Sequence, residues 1–381
     1  MILLYAWFFI CLGLTIFYCM LMWFYRNNWL KIPEIIKPGN SVSTAVSIII
    51  PARNEAKNIG QLLKDISQQQ YPEELLEIIV IDDHSEDNTV EIASSFPVKV
   101  YKLQDLLPQS EITEVYKKRA IELAVQKAKG TLIVTTDADC RVQSAWLKTL
   151  VNFYETTDSK LIAGPVMLFD DLSLFEHFQA LDFCGMQLIT GASLQSGIYN
   201  MANGANLAFE KEAFLKVDGY KGIDKQASGD DMLLVHKIAN QYSGAVRFLK
   251  SKDAIVGTSV MHTFSEFLQQ RFRWTSKSAS YQDKRMTLIL GLVYLFVLTS
   301  FINLSVAVTT ASPVAWTILV MQLFFKSVAD YFFLRTAVLF FGREKLLSTF
   351  FSSEILHCWY IVFVGTLGNI MPYRWKGRKL R

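Results

Sequence analysis

Leu132-Ile133-Val134-Thr135-Thr136-Asp137-Ala138-Asp139 is the stretch that decides how this chain is read. A short apolar, β-branched run is a buried strand, and two carboxylates leave its carboxyl end. Oxygen ligands one residue apart suit a hard divalent cation, Mg²⁺ or Mn²⁺, which is commonly held by one or two carboxylates plus substrate phosphates. The same residues also suit a turn that caps a helix before Trp146, so the motif needs its surroundings.

Working outward, Val46 to Ile50 is a second apolar strand, ended by Pro51. Leu76 to Ile81 is a third, with Asp82 and Asp83 at its end, and Val98 to Leu103 is a fourth. Helices are predicted from about Lys57 to Gln70, from near Ser85 to Asp87 onward, and from Lys117 to Lys129, where Gly130 is the stop. Strands alternating with helices imply an α/β domain with a mostly parallel sheet. Ligands of such sheets bind beyond the carboxyl ends of the strands, where both acidic motifs lie. From 144 to 260 the pattern is less regular. It holds a strand at 160–168, a mixed helix at 171–190, and Asn203-Gly204-Ala205-Asn206. No GxGxxG follows the first strand and no GxxxxGK[ST] occurs, which excludes a dinucleotide fold and a P-loop. No GxSxG elbow points to a serine hydrolase.

Of the 381 residues 51% are hydrophobic, and they concentrate at the two ends. The formal net charge of +3 gives no reason to expect nucleic acid as a partner. Five scattered cysteines, without a CxxC, indicate neither a disulfide framework nor a zinc site. Residues 2 to 25 are long and apolar enough to span a bilayer, without a basic n-region or cleavage site, and so predict a retained anchor. Arg26, Lys31 and Lys37 follow, which places that side in the cytoplasm. Residues 263 to 285 mix Phe264, Phe267, Leu268, Phe272 and Trp274 with Arg271, Arg273, Lys277, Lys284 and Arg285, the composition of a helix lying in a membrane interface. Three apolar segments follow, at about 286–308, 313–341 and 346–370. The second carries Lys326, Asp330 and Arg335, and the third Glu354 and His357. If all three spanned, the basic tail of Arg374, Lys376, Arg378, Lys379 and Arg381 would lie outside, against the positive-inside rule. Two C-terminal spans are therefore expected, with the last segment re-entrant or lying along the cytoplasmic face.

Three further groups carry potential chemistry. Asp230-Asp231 follows Ser228-Gly229 and precedes a helix, where a carboxylate is either a general base or a cap. Gln270, Arg273 and Trp274 lie within one helical turn or so of each other, suited to a diphosphate and a sugar or to an interfacial belt. Lys117, Lys118 and Arg119 open a helix, an unfavourable end for cations, which a diphosphate or a solvated face would explain. His84, His177, His236, His262 and His357 show no metal-ligand spacing.

Order and spacing then combine. Ser47-Ile48-Ile49-Ile50-Pro51-Ala52-Arg53-Asn54-Glu55, Ile81-Asp82-Asp83-His84-Ser85, Lys117, Asp137-Ala138-Asp139, Ser228-Gly229-Asp230-Asp231 and Gln270 to Trp274 resemble glycosyltransferase family 2. The pattern looks closest to its membrane-bound branch, with cellulose, hyaluronan and poly-N-acetylglucosamine synthases and ceramide glucosyltransferase. The resemblance covers about residues 43 to 280 and implies a GT-A nucleotide-sugar-binding domain, flanked by N- and C-terminal transmembrane helices. The implied division is an anchor (1–25), a linker (26–42), the catalytic domain (43–262), the interface helix (263–285), a membrane region (286–371) and a basic cytoplasmic tail (372–381). Pro51, Ala52, Arg53 and Glu55 would line the nucleoside pocket, with Asp83 at the uracil and Lys117 near the nucleotide. Asp137 and Asp139 would hold Mg²⁺ or Mn²⁺, Asp137 also meeting the nucleotide sugar. Asp231 would be the catalytic base with Asp230 beside it. Gln270, Arg273 and Trp274 would close over the diphosphate and meet the acceptor.

The activity so implied is inverting transfer from a nucleotide sugar, a UDP-sugar, to a lipid or lipid-linked acceptor, giving a β-linkage. The enzyme would sit in a membrane (a bacterial inner membrane), with membrane lipids and polysaccharide-assembly proteins as partners. The membrane part is short for a self-contained polymer channel. The alternatives are a subunit of a processive polysaccharide synthase and a non-catalytic scaffold, the latter at odds with intact carboxylates in all four motifs. A transporter using Lys326, Asp330 and Arg335 would need more spans.

Overall fold

The structure is a computed structural model that describes all residues except Met1, 36–38, 40–41, 108–115, 170–172, 223–228, 277–282, 369, 376–377 and 380–381. Lys37, Ser228, Lys277, Lys376 and Arg381, named above, thus lie outside the described residues.

The chain opens with helix α1 (Ile2–Lys31), then alternates β1 (Val46–Ala52), α2 (Ile59–Ser67), β2 (Leu76–Asp82), α3 (Thr89–Ser94), β3 (Lys99–Lys102), α4 (Leu103–Leu106), α5 (Tyr116–Lys127) and β4 (Leu132–Thr135). The second half of the domain holds β5 (Arg141–Val142), α6 (Trp146–Thr156), β6 (Leu161–Ala163), β7 (Val166–Phe169), α7 (Leu174–Ser196), β8 (Leu207–Glu210), α8 (Lys211–Lys216), α9 (Asp230–Gln241), β9 (Val246–Phe248) and β10 (Val256–Ser259). Helices α10 (Phe264–Thr275), α11 (Lys284–Thr310), α12 (Pro313–Phe341) and α13 (Phe350–Leu367) complete the chain with a short β11–β12 ribbon (Arg374–Trp375, Arg378–Lys379).

Seven strands form one sheet in the order β3-β2-β1-β4-β8-β6-β9, in which β8 alone runs against its neighbours. Ile48, Ile49, Ile50, Ile79, Val80, Ile81, Ile133 and Val134 are all fully buried. Helices cover both faces, which is why these strands read as unbroken apolar runs rather than alternating ones.

The strand expected at 160–168 is two strands in two sheets. Gly164 and Pro165 break it, and β7 joins β10 and β5 in a small second sheet. A Cβ at Gly164 would come within 2.2 Å of the Asn206 amide, and the Gly164 N–H donates to the Asn206 carbonyl at 2.8 Å. Only glycine lets the chain turn this close to the site.

The N-terminal helix does not end at residue 25, where the sequence reading ended the expected anchor. Helix α1 runs on to Lys31, with Trp29 buried between Phe248 and Phe340. The Lys250 ammonium donates to the Trp29 and Ile32 carbonyls at 3.2 and 3.3 Å and lies over the Trp29 ring. A cation on the last carbonyls satisfies acceptors that the helix leaves unpaired.

The interface segment 263–285 is likewise not one helix. Thr263 and Glu266 form a capping box for α10, which ends at Thr275, and Asp283 caps α11. Four helical stretches are long and apolar enough to cross a membrane: Tyr5–Lys31, Lys284–Thr310, Pro313–Phe341 and Glu344–Leu367. The last is distinctive. Just before α13, Arg343 Nη1 donates to the Leu168 carbonyl at 3.1 Å. Just after it, Gly368 lies against Thr275, and Tyr373 clusters with Phe272. Both ends of α13 are therefore held against the catalytic-domain side.

Candidate active site

The nucleoside end is built where β1 and β2 stop in register, Pro51 beside Ile81 and Ala52 beside Asp82. The Asp83 N–H donates to the Ala52 carbonyl at 2.8 Å. Buried Arg53 donates through Nη1 to the Asp83 and His84 carbonyls at 2.8 and 3.1 Å. Asn54 and His84 both adopt left-handed φ, 52° and 57°. The Asn54 N–H donates to Ser85 Oγ, and its side-chain oxygen accepts from the Glu86 N–H, at 2.9 and 2.8 Å. The two loops are laced into one rim.

The paired aspartates divide their work. The Asp82 carboxylate accepts from the Ser85 N–H at 3.2 and 3.3 Å, closing the turn. The Asp83 carboxylate meets His84 Nδ1 at 3.0 Å and the Arg53 guanidinium at 4.0 Å. Glu55 is buried and accepts from the Asn58 amide at 2.7 Å, so its carboxylate also shapes the loop. Arg53 Nε is buried with no hydrogen-bond partner among the described residues, a donor without an acceptor at the rim.

At the end of β4, Asp137 Oδ1 accepts from Lys117 Nζ at 2.7 Å, both side chains being partly exposed. Lys117 is therefore no member of a solvated face, and its neighbours follow suit: Lys118 is buried, and Arg119 pairs with Glu122. The Cys140 N–H donates to the Asp137 carbonyl at 3.1 Å, and Sγ lies 3.9 Å from Asp139 Oδ1. Burial, then the charges of Asp139 and Asp137, push the Cys140 thiol well above its ordinary value. The sulfur thus stays protonated, and the ligands on offer are carboxylate oxygens. An ammonium already resting on Asp137 shows that the position accepts a cation. This donor set fits Mg²⁺ or Mn²⁺.

Asp231 stands in the first turn of α9, after Gly229, whose φ of 85° turns the chain into the helix. Its Oδ2 accepts from the Gly204 N–H at 3.2 Å and its Oδ1 from the Met232 N–H at 2.7 Å. The Gly204 carbonyl in turn accepts from Thr135 Oγ1 at 3.0 Å. Thr135 is two residues before Asp137. A single hydrogen-bonded path, Thr135 to Gly204 to Asp231, thus brings the candidate base to the strand that carries the metal motif. Asn203-Gly204-Ala205-Asn206, to which sequence reading gave no role, is the element that does this. Asp230 opens α9 beside it.

On α10, Gln270, Arg273 and Trp274 are half-buried. The residue that sequence reading placed at the interface, Arg271, is instead 1% exposed. Its guanidinium lies 4.4 Å from the Trp274 ring centroid and pairs with Asp182 at 2.9 Å. Behind it a buried ionic cluster continues. His357 Nε2 is 3.8 Å from Asp182. Lys326 Nζ pairs with Asp330 at 2.6 Å and Glu354 at 2.8 Å, and stands 3.5 Å from His357 Nδ1. Tyr18 donates to Asp330 at 2.7 Å. Asp330, Glu354 and His357 converge as metal ligands would. The Lys326 ammonium, however, already supplies their cation.

Beside this cluster lies a cavity of about 570 Å³, walled by α1, α7, α11, α12 and α13. Trp274 and Thr275 from α10 line it, as do Tyr199 and Met201. Met201 is three residues from Gly204, which donates to Asp231. An extended chain of that length reaches at most about 11 Å.

A mostly parallel sheet with paired carboxylates at the end of its central strand and a helix-borne aspartate opposite them defines the GT-A class of nucleotide-sugar enzymes. The family model described as Glycosyl transferase family 2 matches residues 47–182, and Glycosyl transferase family group 2 matches residues 132–367, more than half of the chain. This chain belongs to glycosyltransferase family 2 and is a nucleotide-sugar-dependent glycosyltransferase. It is 27% identical over 230 residues to the glycosyltransferase AglE of Haloferax volcanii, covering 60% of this chain and 71% of the relative. It is 30% identical over 213 residues to the 4,4'-diaponeurosporenoate glycosyltransferase of Staphylococcus aureus, covering 54% of each. The chain thus matches only about half the length of the latter relative. Among solved structures, the mannosyltransferase PcManGT of Pyrobaculum calidifontis, in complex with GDP-Man and Mn²⁺, superposes with a TM-score of 0.60. That match is 19% identical and covers 92% of this chain and 99% of the other, so the shared fold extends beyond the sheet domain to long apolar helices.

Proposed function

We propose that this protein transfers a sugar from a UDP-sugar to a hydroxyl of a lipid or lipid-linked acceptor, with inversion, so that an α-linked donor yields a β-glycoside. The observation that carries the reading is the cavity. It is walled by the apolar helices, has Trp274 in its wall, and comes within about 11 Å of the residue that bonds Asp231. An apolar acceptor body would be held there, its polar end within reach of the base.

The rim made by Arg53, Asp83 and His84 binds the base of the nucleotide, the Asp83 carboxylate accepting from a ring N–H. Asp137 and Asp139 would hold the divalent cation, which would supply positive charge at the diphosphate leaving group. Lys117 and Arg273 supply positive charge at the same group as it develops. Asp231, oriented by two N–H groups, takes the acceptor proton as the oxygen attacks opposite the leaving group.

Topology follows the same geometry. Phe351, Ile355, Trp359 and Phe363, four residues apart on α13, are exposed, and Glu354 and His357 point inward to the ionic cluster. With both ends tethered to the domain side, α13 lies along the membrane surface. The basic tail then stays on the side of the catalytic domain, in the cytoplasm, as the positive-inside rule requires.

The test is nucleoside diphosphate release by purified protein in nanodiscs, over UDP- and GDP-sugars, with and without lipid extract. Lipid-stimulated release with a UDP-sugar is expected. Chelation of divalent ions should abolish it, and Asp231→Asn should lower it by about 10²–10⁴ while UDP binding persists. Near-normal turnover in that variant, or full activity in chelator, would sink the assignment. Polymer made without lipid would instead identify a polysaccharide synthase.

A further inference from the structure

The charged part of the cavity wall is one-sided in its chemistry. Asp182, Asp330 and Glu354 all line it, whereas their counter-charges, Lys326 and Arg271, do not. Lys326 stands behind the carboxylates with its three protons directed at Asp330, Glu354 and His357. Arg271 turns Nη2 to Asp182 and spreads its face over Trp274. The set holds three carboxylates against two cations, so the wall presents hydrogen-bond acceptors and residual negative charge. Ser353, also in the wall, is 5% exposed, and its hydroxyl has no hydrogen-bond partner among the described residues. Buried charges in a membrane region are costly and are kept for function. A buried hydroxyl without a partner marks a place where a ligand completes the bonding.

We propose that this cavity binds an uncharged amphiphile whose polar group carries hydroxyl or amide donors, and that it excludes lipids whose polar group is a phosphate. The proposal rests on the lipid-acceptor reading and narrows its acceptor to a neutral hydroxyl lipid. A donor group satisfies the carboxylate wall and Ser353. A phosphate brings only acceptors and further negative charge into a site of low dielectric, where like charges repel strongly. The apolar remainder of the ligand lies along Leu290, Val293, Ile361 and Val364. The polar end sits by Asp182 and Trp274, the side nearest the catalytic domain. At about 570 Å³ the cavity is of ordinary ligand-binding size.

Gly291 of α11 provides a clean perturbation. It lines the cavity, and a Cβ there would meet nothing within 4 Å. A leucine Cβ at this position meets no neighbour, and leucine favours the helix. Gly13 of α1 also has open space around its Cβ but does not line the cavity, and so serves as control. The experiment is equilibrium binding of radiolabelled dioleoylglycerol and dioleoylphosphatidate, identical in their chains, to the full-length protein in detergent. Dioleoylglycerol should bind at least about tenfold more tightly than the phosphatidate, the loss expected when a charge-assisted contact becomes a repulsion. Gly291→Leu should abolish dioleoylglycerol binding, and Gly13→Leu should leave it unchanged, with UDP binding the same in all three proteins. Glu354→Gln, which removes one negative charge from the wall, should narrow the preference. Phosphatidate binding as tight as the diglyceride, or diglyceride binding that survives Gly291→Leu, overturns the proposal. Nucleoside diphosphate release, followed in parallel, reports separately on the transfer reading. Diglyceride binding without any lipid-stimulated release leaves the cavity assignment standing and removes the transfer reading.

Discussion

At the scale of single residues, the proposed function makes the Lys117–Asp137 contact the one on which donor binding would turn. With no phosphate near, the ammonium rests on the carboxylate at 2.7 Å. With metal and diphosphate bound, the carboxylate would serve as a ligand and the ammonium as a partner for a phosphate oxygen. A hydrogen bond to a charged group contributes about 1.5–3 kcal/mol. Lys117→Gln should therefore weaken UDP binding about tenfold or more, measured by titration calorimetry at fixed Mn²⁺. Unaltered affinity would leave Lys117 as a structural partner of Asp137 only. The glycine before the base is equally specific. At φ 85° Gly229 occupies a region that side chains enter only at a cost, so substitution there displaces Asp231 without touching it.

Among the elements, α10 is the joint between the GT-A domain and the long apolar helices, and Arg271 is its pivot. Its guanidinium is sandwiched among Phe267, Trp274 and Tyr360, with centroid distances of 4.8, 4.4 and 5.4 Å, and paired with Asp182 of α7. Removing one member of a buried pair leaves the other charge uncompensated, at about 3–5 kcal/mol. Arg271→Met should thus lower thermal stability in detergent strongly, whereas Arg271→Met with Asp182→Asn should recover much of the loss, as coupled neighbours do. Additive losses in the double variant would show that the pair is not coupled. A sequence window cannot separate Arg271 from Arg273 on an amphipathic helix. Which of the two faces inward depends on α7 and α13, distant in sequence.

For the whole molecule, the long apolar helices and the GT-A domain share one hydrophobic core rather than joining through a tether. Tyr18, Tyr25 and Trp29 of α1 belong to the same buried cluster as Ile48 and Phe209 of the sheet. Trp29→Ala opens a cavity between α1, Phe248 and Phe340, at about 3–5 kcal/mol. Limited proteolysis should then cut between α1 and β1 in the variant and spare the parent protein. Equal resistance would mean that α1 is held by the bilayer alone. The coupling also means that, on the proposed reading, an acceptor held between the long apolar helices would reach a base carried on the GT-A domain.

The sequence alone determined much of this protein. Unbroken apolar runs ending in Asp83, Asp137 and Asp139 announced a covered parallel sheet with its ligands at one edge, because strand burial and strand ends are local properties of the chain. The spacing of the motifs was enough to name the family. Tertiary structure alone decided the rest. It broke the 160–168 run at Gly164 to admit Asn206, carried α1 past residue 25 onto Lys250, and turned Arg271 inward. It gathered Asp182, Lys326, Asp330, Glu354 and His357 from three helices into one cluster. These are contacts between residues far apart in the chain, and no local period or propensity encodes them. The cavity they enclose is the clearest case, since it is a property of how helices pack and belongs to no segment of the sequence.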